Sequence, residues 1–230
     1  MSIETVLISG ANRGLGLALA QKFAEAGWKV IAGCRNPAQA TALTALQEGH
    51  DIQICKLDVT NPDDIAALAQ QLGDEPLDVL INNAGILDAN RNDLSSIDYD
   101  EWQAIFATNS MAPVRMSLAL KDNLKRSPNP RIVTVSSEMG SLNQNLEGAI
   151  AYRTSKAAVN KAMQVLATNF ASDGITVVPI HPGWVRTDMG GPQAAISPKE
   201  SAEGIFLLAS GLNNEMSGRF WTWAGTEHPW

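Results

Sequence analysis

Short apolar or β-branched runs alternate with longer stretches of helical spacing along the whole chain. The runs fall at 5–9, 29–34, 52–57, 79–82, 131–136, 176–180 and 218–223, and they predict strands. Between them, residues 14–26, 37–47, 62–71, 99–125, 149–172 and 198–210 predict helices. Several runs, Val79-Leu80-Ile81 among them, are apolar at every position instead of alternating. A strand that is apolar on both faces belongs in a parallel sheet covered by helices on both sides. The alternation then gives right-handed crossovers and predicts an α/β fold, a single Rossmann-type doubly wound parallel sheet of about seven strands. One domain of that kind accommodates all 230 residues. Its ligands bind at the carboxyl ends of the strands, near the switch in strand order.

Composition removes other classes. A net charge of −7 offers no basic face to a phosphate backbone, so no nucleic-acid partner is expected. No uninterrupted apolar segment reaches the 18 residues of a spanning helix, so no membrane partner is expected either. The N-terminus, Met1 to Glu4, lacks the basic region of a signal peptide, and Gly10, Asn12, Arg13 and Gly14 break the apolar stretch that follows. The two cysteines, Cys34 and Cys55, lie on successive predicted strands. They read as buried free thiols, which places the chain in a reducing cytoplasm. No spacing of His, Cys, Asp or Glu suggests a metal.

Every chemistry-bearing motif falls just after a predicted strand or on the helix that follows one. Ser9 to Gly16 reads SGANRGLG, with glycines at 10, 14 and 16 immediately after the first strand. Missing side chains let backbone amides approach a pyrophosphate, and the helix that starts near Gly14 points its positive end at it. A plain strand–helix turn is the alternative reading. The tip of the second strand reads Ala32-Gly33-Cys34-Arg35-Asn36 and carries no acid. An acid there would bind a ribose 2′-hydroxyl and repel a 2′-phosphate, whereas Arg35 can fork onto the phosphate. Arg13 approaches from the other side, so NADP(H) is the expected cofactor. Tyr152 and Lys156 stand four residues apart, on one helical face. The other tyrosine, Tyr99, has Gln103 at that offset. A phenol with a pKa of about 10 needs help to exchange its proton near neutrality, and a neighbouring ammonium is expected to lower it.

The SGANRGLG turn resembles the TGxxxGxG fingerprint of the short-chain dehydrogenase/reductase family. Asn82-Asn83-Ala84-Gly85 is similar to that family's NNAG element, Tyr152 to Lys156 to its Tyr-x-x-x-Lys, and Pro182-Gly183 to its Pro-Gly after the sixth strand. The matches run in the family's order over nearly the whole chain. AYRTSK and HPGWVRTDMGG further resemble the carbonyl reductases of the sniffer and C-factor group.

The resemblance implies hydride transfer between NADP(H) and a carbonyl or alcohol. Tyr152 would be the acid, assisted by Lys156, Ser137 and Asn109; Ser136 is the alternative serine. The cofactor would lie on Gly10, Asn12, Arg13, Gly14, Leu15 and Gly16, with Arg35, Asp58 and Val59 toward the adenosine. Asn82, Asn83, Ala84 and Gly85 would form its floor, with Tyr152 and Lys156 beside it. Pro182, Gly183, Val185 and Thr187 would hold the nicotinamide end. Asp58 resembles an adenine-contacting aspartate, but it also reads as a turn or cap residue before the helix at Pro62. Asn109 would hold a water that links the lysine to solvent. His181 reads as a packing residue, because no nearby carboxylate is evident.

Residues 142–150 and 184–196 are expected to wall and cover a substrate site for a small apolar or aromatic ketone or aldehyde. The tryptophans at 221 and 223 read as core or subunit contacts. The apolar excess on the helices at 99–125 and 149–172 points to a homodimer or homotetramer. Two rivals are weighed. A non-catalytic NADP-binding sensor would need only the cofactor turn, whereas Asn109, Ser137, Tyr152 and Lys156 are all present. An extended nucleotide-sugar epimerase usually carries a larger C-terminal part than the roughly 40 residues after Thr187.

Overall fold

The computed structural model describes residues 3–89, 93–145 and 147–230. Of the sequence expectations, the Met1–Ser2 end of the N-terminal reading and Leu146 in the substrate wall lie outside them. Seven strands form one parallel sheet: β1 (Thr5–Ser9), β2 (Lys29–Cys34), β3 (Ile52–Lys56), β4 (Val79–Asn82), β5 (Arg131–Val135), β6 (Thr176–His181) and β7 (Trp221–Thr222). The order is β3-β2-β1-β4-β5-β6-β7, a doubly wound sheet whose order reverses between β1 and β4.

Alternate residues of each strand feed two cores. Val6, Ile8, Val30, Ala32, Val79 and Ile81 pack under α1 (Gly14–Glu25), α2 (Thr41–Leu46) and α8 (Pro198–Gly211). Leu7, Ile31 and Leu80 pack under α3 (Pro62–Leu72), α5 (Ala112–Ala119) and α7 (Ile150–Phe170). Burial on both faces is what the unbroken apolar runs require.

Three expected elements come out differently. The stretch at 99–125 is not one helix. It splits into α4 (Tyr99–Phe106), a π-helical segment (Ala107–Met111), α5 and α6 (Lys121–Lys125). Pro113, which has no N–H to donate, occupies the start of α5. The helix at 37–47 begins as a 3₁₀ turn over Pro37–Gln39. The last strand shrinks from six residues to Trp221–Thr222, with Trp221 buried in the core. No helix among the described residues is long and apolar enough to cross a membrane.

Candidate active site

β1 ends at Ser9, next to the switch point, and the glycine turn follows. Gly10 and Gly14 have φ of +66° and +54°, in the left-handed region that favours glycine. A Cβ on Gly16 would stand 2.2 Å from the Gly10 carbonyl oxygen and 2.6 Å from Asn83 Nδ2. No side chain fits there. Arg13, the N-cap of α1, makes no side-chain cap, so the first-turn amides remain for an anion. Asn12 and Arg13 are exposed and Leu15 is half-buried.

The Asn82–Gly85 segment is sewn to this turn. Asn83 Nδ2 donates to the carbonyls of Ser9 at 2.9 Å and Gly10 at 3.2 Å. Ser9 Oγ accepts the N–H groups of Asn83 and Ala84. Asn82 Nδ2 donates to Thr134 Oγ1 at 3.3 Å across to β5, while its Oδ1 is buried without a partner. A Cβ on Gly85 would meet Asn109 Oδ1 at 3.4 Å and Lys156 Nζ at 3.7 Å. The segment expected as the cofactor floor therefore runs close beside Asn109 and Lys156.

Arg35 is exposed just past β2. Arg13 instead reaches across the groove, and its guanidinium donates to Asp188 Oδ2 at 2.8 Å. Asp58 Oδ1 accepts Thr60 N–H at 2.9 Å and the Thr60 hydroxyl at 2.6 Å, which makes it a turn residue. It does not cap α3. Asn61 does, by accepting Asp63 N–H. Val59 packs into the core.

Tyr152, Ser155 and Lys156 lie buried on the first turns of α7. That helix starts from Ala149, a buried residue held at φ +49°, a strain of the kind that gathers at functional sites. Lys156 Nζ donates to the Val135 carbonyl at 2.8 Å and stands 5.5 Å from the Tyr152 ring centre. Ser137 stands close enough to the Tyr152 phenol to lower its pKa by hydrogen bonding. Ser136 points the other way, toward the Lys156 carbonyl at 3.5 Å, so the geometry separates the two serines. Ser137 also accepts Met139 N–H and so begins a 3₁₀ turn at Glu138–Gly140. Gly140 lets that turn press on α7, since a Cβ there would lie 2.7 Å from the Lys156 carbonyl carbon.

Asn109 sits in the π-helical segment, 1% exposed. Its Oδ1 accepts Ile86 N–H at 2.9 Å, and its Nδ2 donates to Ile86 O at 2.8 Å and Ser155 Oγ at 3.0 Å. Such single-turn widenings re-aim a side chain at functional sites. Here the widening turns an amide onto the strand β4 exit.

Electrostatically, the site differs from the expectation. Burial pushes the Tyr152 phenol up to about 12; Ser137 opposes this and Asp88 adds to it. Burial dominates that value even with the Lys156 ammonium 5.5 Å from the ring centre. Burial pushes Lys156 down to about 8.

Past β6, Pro182-Gly183 leads into a tightly bonded loop. Val185 bridges Ile196, Trp184 Nε1 donates to Gly190 O at 2.8 Å, and Arg186 donates to the carbonyls of Ala194 and Ala195. Thr187 lies against Gly14, 3.2 Å from where a Cβ would stand. A carboxylate does stand near His181: Glu138 Oε2 lies 3.9 Å from its Nε2. Parallel pairing of β5 and β6 brings together residues 43 positions apart.

The sequence profile of the short chain dehydrogenase family matches residues 4–196. The chain belongs to that family. Among its curated relatives, the C-signal protein of Myxococcus xanthus is 42% identical over 165 residues, 71% of this chain and 99% of that protein. Among solved structures, the carbonyl reductase Sniffer of D. melanogaster superposes with a TM-score of 0.94 at 32% identity, over 100% of both chains. The NADPH-bound carbonyl reductase from chicken fatty liver superposes at 0.92 and 33% identity, again over 100% of both.

Within this short-chain dehydrogenase, the structure brings Asn109 and Lys156 against Gly85, with Tyr152 beside Lys156 and Ser137 beside Tyr152. Arg35 and Asp58 lie outside that cluster. Sequence reasoning passed over Ser9, Ile86 and Ser155, which tie the cluster to the turn. Ser9 stood inside the quoted motif. Ile86 and Ser155 carry no local signal, because each acts through contacts with distant residues.

Proposed function

We propose that this short-chain dehydrogenase is an NADP(H)-dependent carbonyl reductase with Tyr152 as the acid. One observation carries the reading: Tyr152 and Lys156 are buried together beside the glycine turn, with the ammonium 5.5 Å from the phenol ring centre and Ser137 close enough to lower the phenol's pKa. The Gly10–Gly16 turn fits a dinucleotide, because it excludes side chains where a pyrophosphate needs backbone amides. Arg35, on a strand tip without a carboxylate, selects the 2′-phosphate. The floor is Asn82 to Gly85, and Val185 with Thr187 holds the carboxamide end.

When bound, NADPH supplies the hydride that reaches the carbonyl carbon. The protein supplies the proton and the alignment. Ser137 shares a hydrogen bond with the substrate oxygen and sets it against the phenol. Tyr152, held protonated through neutral pH by its burial, gives its proton to that oxygen as the C–O double bond becomes single. The resulting phenolate is stabilised by Lys156, which still carries its proton at pH 7. Asn109 fixes Ile86, and with it the floor beside Lys156. The high phenol pKa suits reduction, since the proton passes to a developing alkoxide, a far stronger base.

Leu142, Trp184 and Met189 are exposed in the two expected walls. These surfaces favour a small apolar or aromatic aldehyde or ketone. Met111, Leu118 and Val165 stand about half exposed on the π segment, α5 and α7. They favour a dimer or tetramer, which light scattering at micromolar concentration checks. The reduced, buried Cys34 and Cys55 fit a cytoplasmic setting.

A sensor reading, which the name of the Myxococcus relative invites, needs no proton donor. Turnover separates the two. Wild type and Tyr152→Phe are compared for thermal shift with NADPH and NADH, and for NADPH oxidation on a carbonyl panel. The expected result is preferential stabilisation of both by NADPH, with turnover about 10²–10⁴-fold lower in the variant. Unchanged turnover, or a panel inert with wild type, overturns the reading.

A further inference from the structure

His181 ends β6, and its ring stands at the site's edge, where the reaction above does not use it. We propose that His181 is a positioning residue for Ser137: as a neutral imidazole, it fixes the turn that aims the Ser137 hydroxyl at Tyr152. The inference rests on the reductase reading. It begins where the β5–β6 ladder stops. The last backbone rung runs from Ser136 N–H to Ile180 O at 2.7 Å. Two residues later, Glu138 N–H donates to His181 Nδ1 at 3.1 Å. The imidazole thus supplies one more rung after the backbone pairing has ended. Ser137 lies between these two rungs, so both sides of its peptide are held.

The turn has a second wall in α7, against which Gly140 closes without room for a Cβ. The C-terminal segment closes the far end, where Ser141 Oγ donates to Pro229 O at 3.1 Å. Only His181 grips the residue next to Ser137 by a side chain.

The acceptor role fixes chemistry. Nδ1 accepts only while it carries no proton, which places the ring hydrogen on Nε2, the side facing Glu138 Oε2. The titratable groups facing the ring are Glu138, from the turn, and His228, from the C-terminal segment, with ring centres 5.8 Å apart. Burial holds the imidazole below its ordinary value; the Glu138 carboxylate opposes that and His228 reinforces it. The ring is therefore neutral at pH 7. Protonation at lower pH sets two N–H donors face to face, at Nδ1 and Glu138 N, and releases the turn.

The experiment compares kcat against pH for wild type, His181→Asn, His181→Leu, Ser137→Ala and the Ser137→Ala/His181→Leu double variant. Substrate is any carbonyl that wild type reduces, and NADPH Kd is measured in parallel. Asn can place an amide oxygen near the Nδ1 position and does not titrate. The expected result is a kcat about 10–100-fold lower in His181→Leu, with NADPH Kd within about twofold of wild type. His181→Asn is expected to stay within about threefold at pH 7.5 and to keep its activity at acid pH where wild type declines. In the Ser137→Ala background, the leucine substitution is expected to cost less than about threefold, because its effect runs through the missing hydroxyl.

A wild-type kcat in His181→Leu, an undiminished cost in the Ser137→Ala background, or an acid limb of His181→Asn that superposes on wild type overturns the positioning role. If His181→Leu does not fold, the His181→Asn pH profile decides. Tyr152→Phe runs alongside. Its loss of turnover with indifferent His181 variants defeats this inference alone, whereas a fully active Tyr152→Phe defeats the reading beneath it.

Discussion

The two ends of the sheet bury polar groups to opposite effect. At the amino ends of the strands, Asp78 takes Thr5 N–H at 2.7 Å and the Ser127 hydroxyl. Arg131, 1% exposed, donates to Ala209 O and Glu4 and lies over Trp28. Asn123 donates to the carbonyls of Gly73 and Glu75. Only the Nε of Arg131 lacks a partner in this set. These groups tie loops to strands, and satisfied burial of this kind stabilises. At the carboxyl ends, Asn82 Oδ1 has no partner, the Tyr152 phenol is pushed up and Lys156 down. The same parallel sheet thus locks itself at one end. At the other it holds Lys156 charged against its burial and keeps the Tyr152 phenol neutral, so both titrate away from their ordinary ranges, as groups at functional sites do.

Swapping one residue at each end should separate activity from stability. Lys156→Met keeps the shape of the side chain and removes the charge. Turnover should fall about 10²–10⁴-fold, while the thermal midpoint stays the same or rises, because a buried charge has gone. A large drop in midpoint would mean that the ammonium stabilises the fold instead of taxing it. Asp78→Ala should do the reverse. It leaves the Thr5 N–H and the Ser127 hydroxyl buried without an acceptor, at about 1–3 kcal/mol each. For a chain of this size, that lowers the midpoint by roughly 4–24 °C, at about 2–4 °C per kcal/mol. Its kcat per folded molecule should match wild type, and a kcat loss beyond about threefold would blur the division.

How much of this division the residues announce differs between the ends. Unbroken apolar strands announced the sheet, and the glycines at 10, 14 and 16 announced the groove, because each demands a local geometry that only certain residues satisfy. Tyr152 and Lys156 were legible because helical spacing alone puts them on one face. The break at Asn109 was not, since a one-residue widening shifts the helical phase in a stretch apolar on more than one face, where no single stripe shows the shift. Pro113 was the signal that marked it. The choice between Ser136 and Ser137 depended on strand pleat and the Gly140 approach to α7, neither of which is local. The contact of His181 with Glu138 required knowing that β5 and β6 end side by side. The lock at the amino ends was silent for the same reason: Asp78, Arg131 and Asn123 look like ordinary surface residues until the strands are paired.

A finer contrast lies within the carboxyl end, between the two arginines. Arg35 is exposed and bound to nothing in the contacts above, whereas Arg13 is committed to Asp188. If Arg35 alone reads the 2′-phosphate, Arg35→Ala should weaken NADPH binding about 10–100-fold, the worth of a charge-assisted pair. NADH binding should stay within about twofold, as titration calorimetry would record. Equal weakening of both dinucleotides would assign Arg35 to the fold and return the selection to Arg13.

The smallest effect is also the most direct test of where the buried lysine stands. The unfolded chain holds the Lys156 proton until about pH 10.5, and the folded chain releases it near 8. Between those values the unfolded chain binds more protons, so the lysine's contribution to stability rises with pH. Against Lys156→Met, wild type should gain about 1 kcal/mol from pH 7 to pH 9, at roughly 1.4 kcal/mol per proton per pH unit. Paired denaturant titrations at the two pH values measure that difference with every other titrating group cancelling. If the two proteins respond to pH in parallel, Lys156 keeps an ordinary pKa, and its end of the sheet is no more strained than the end built on Asp78 and Arg131.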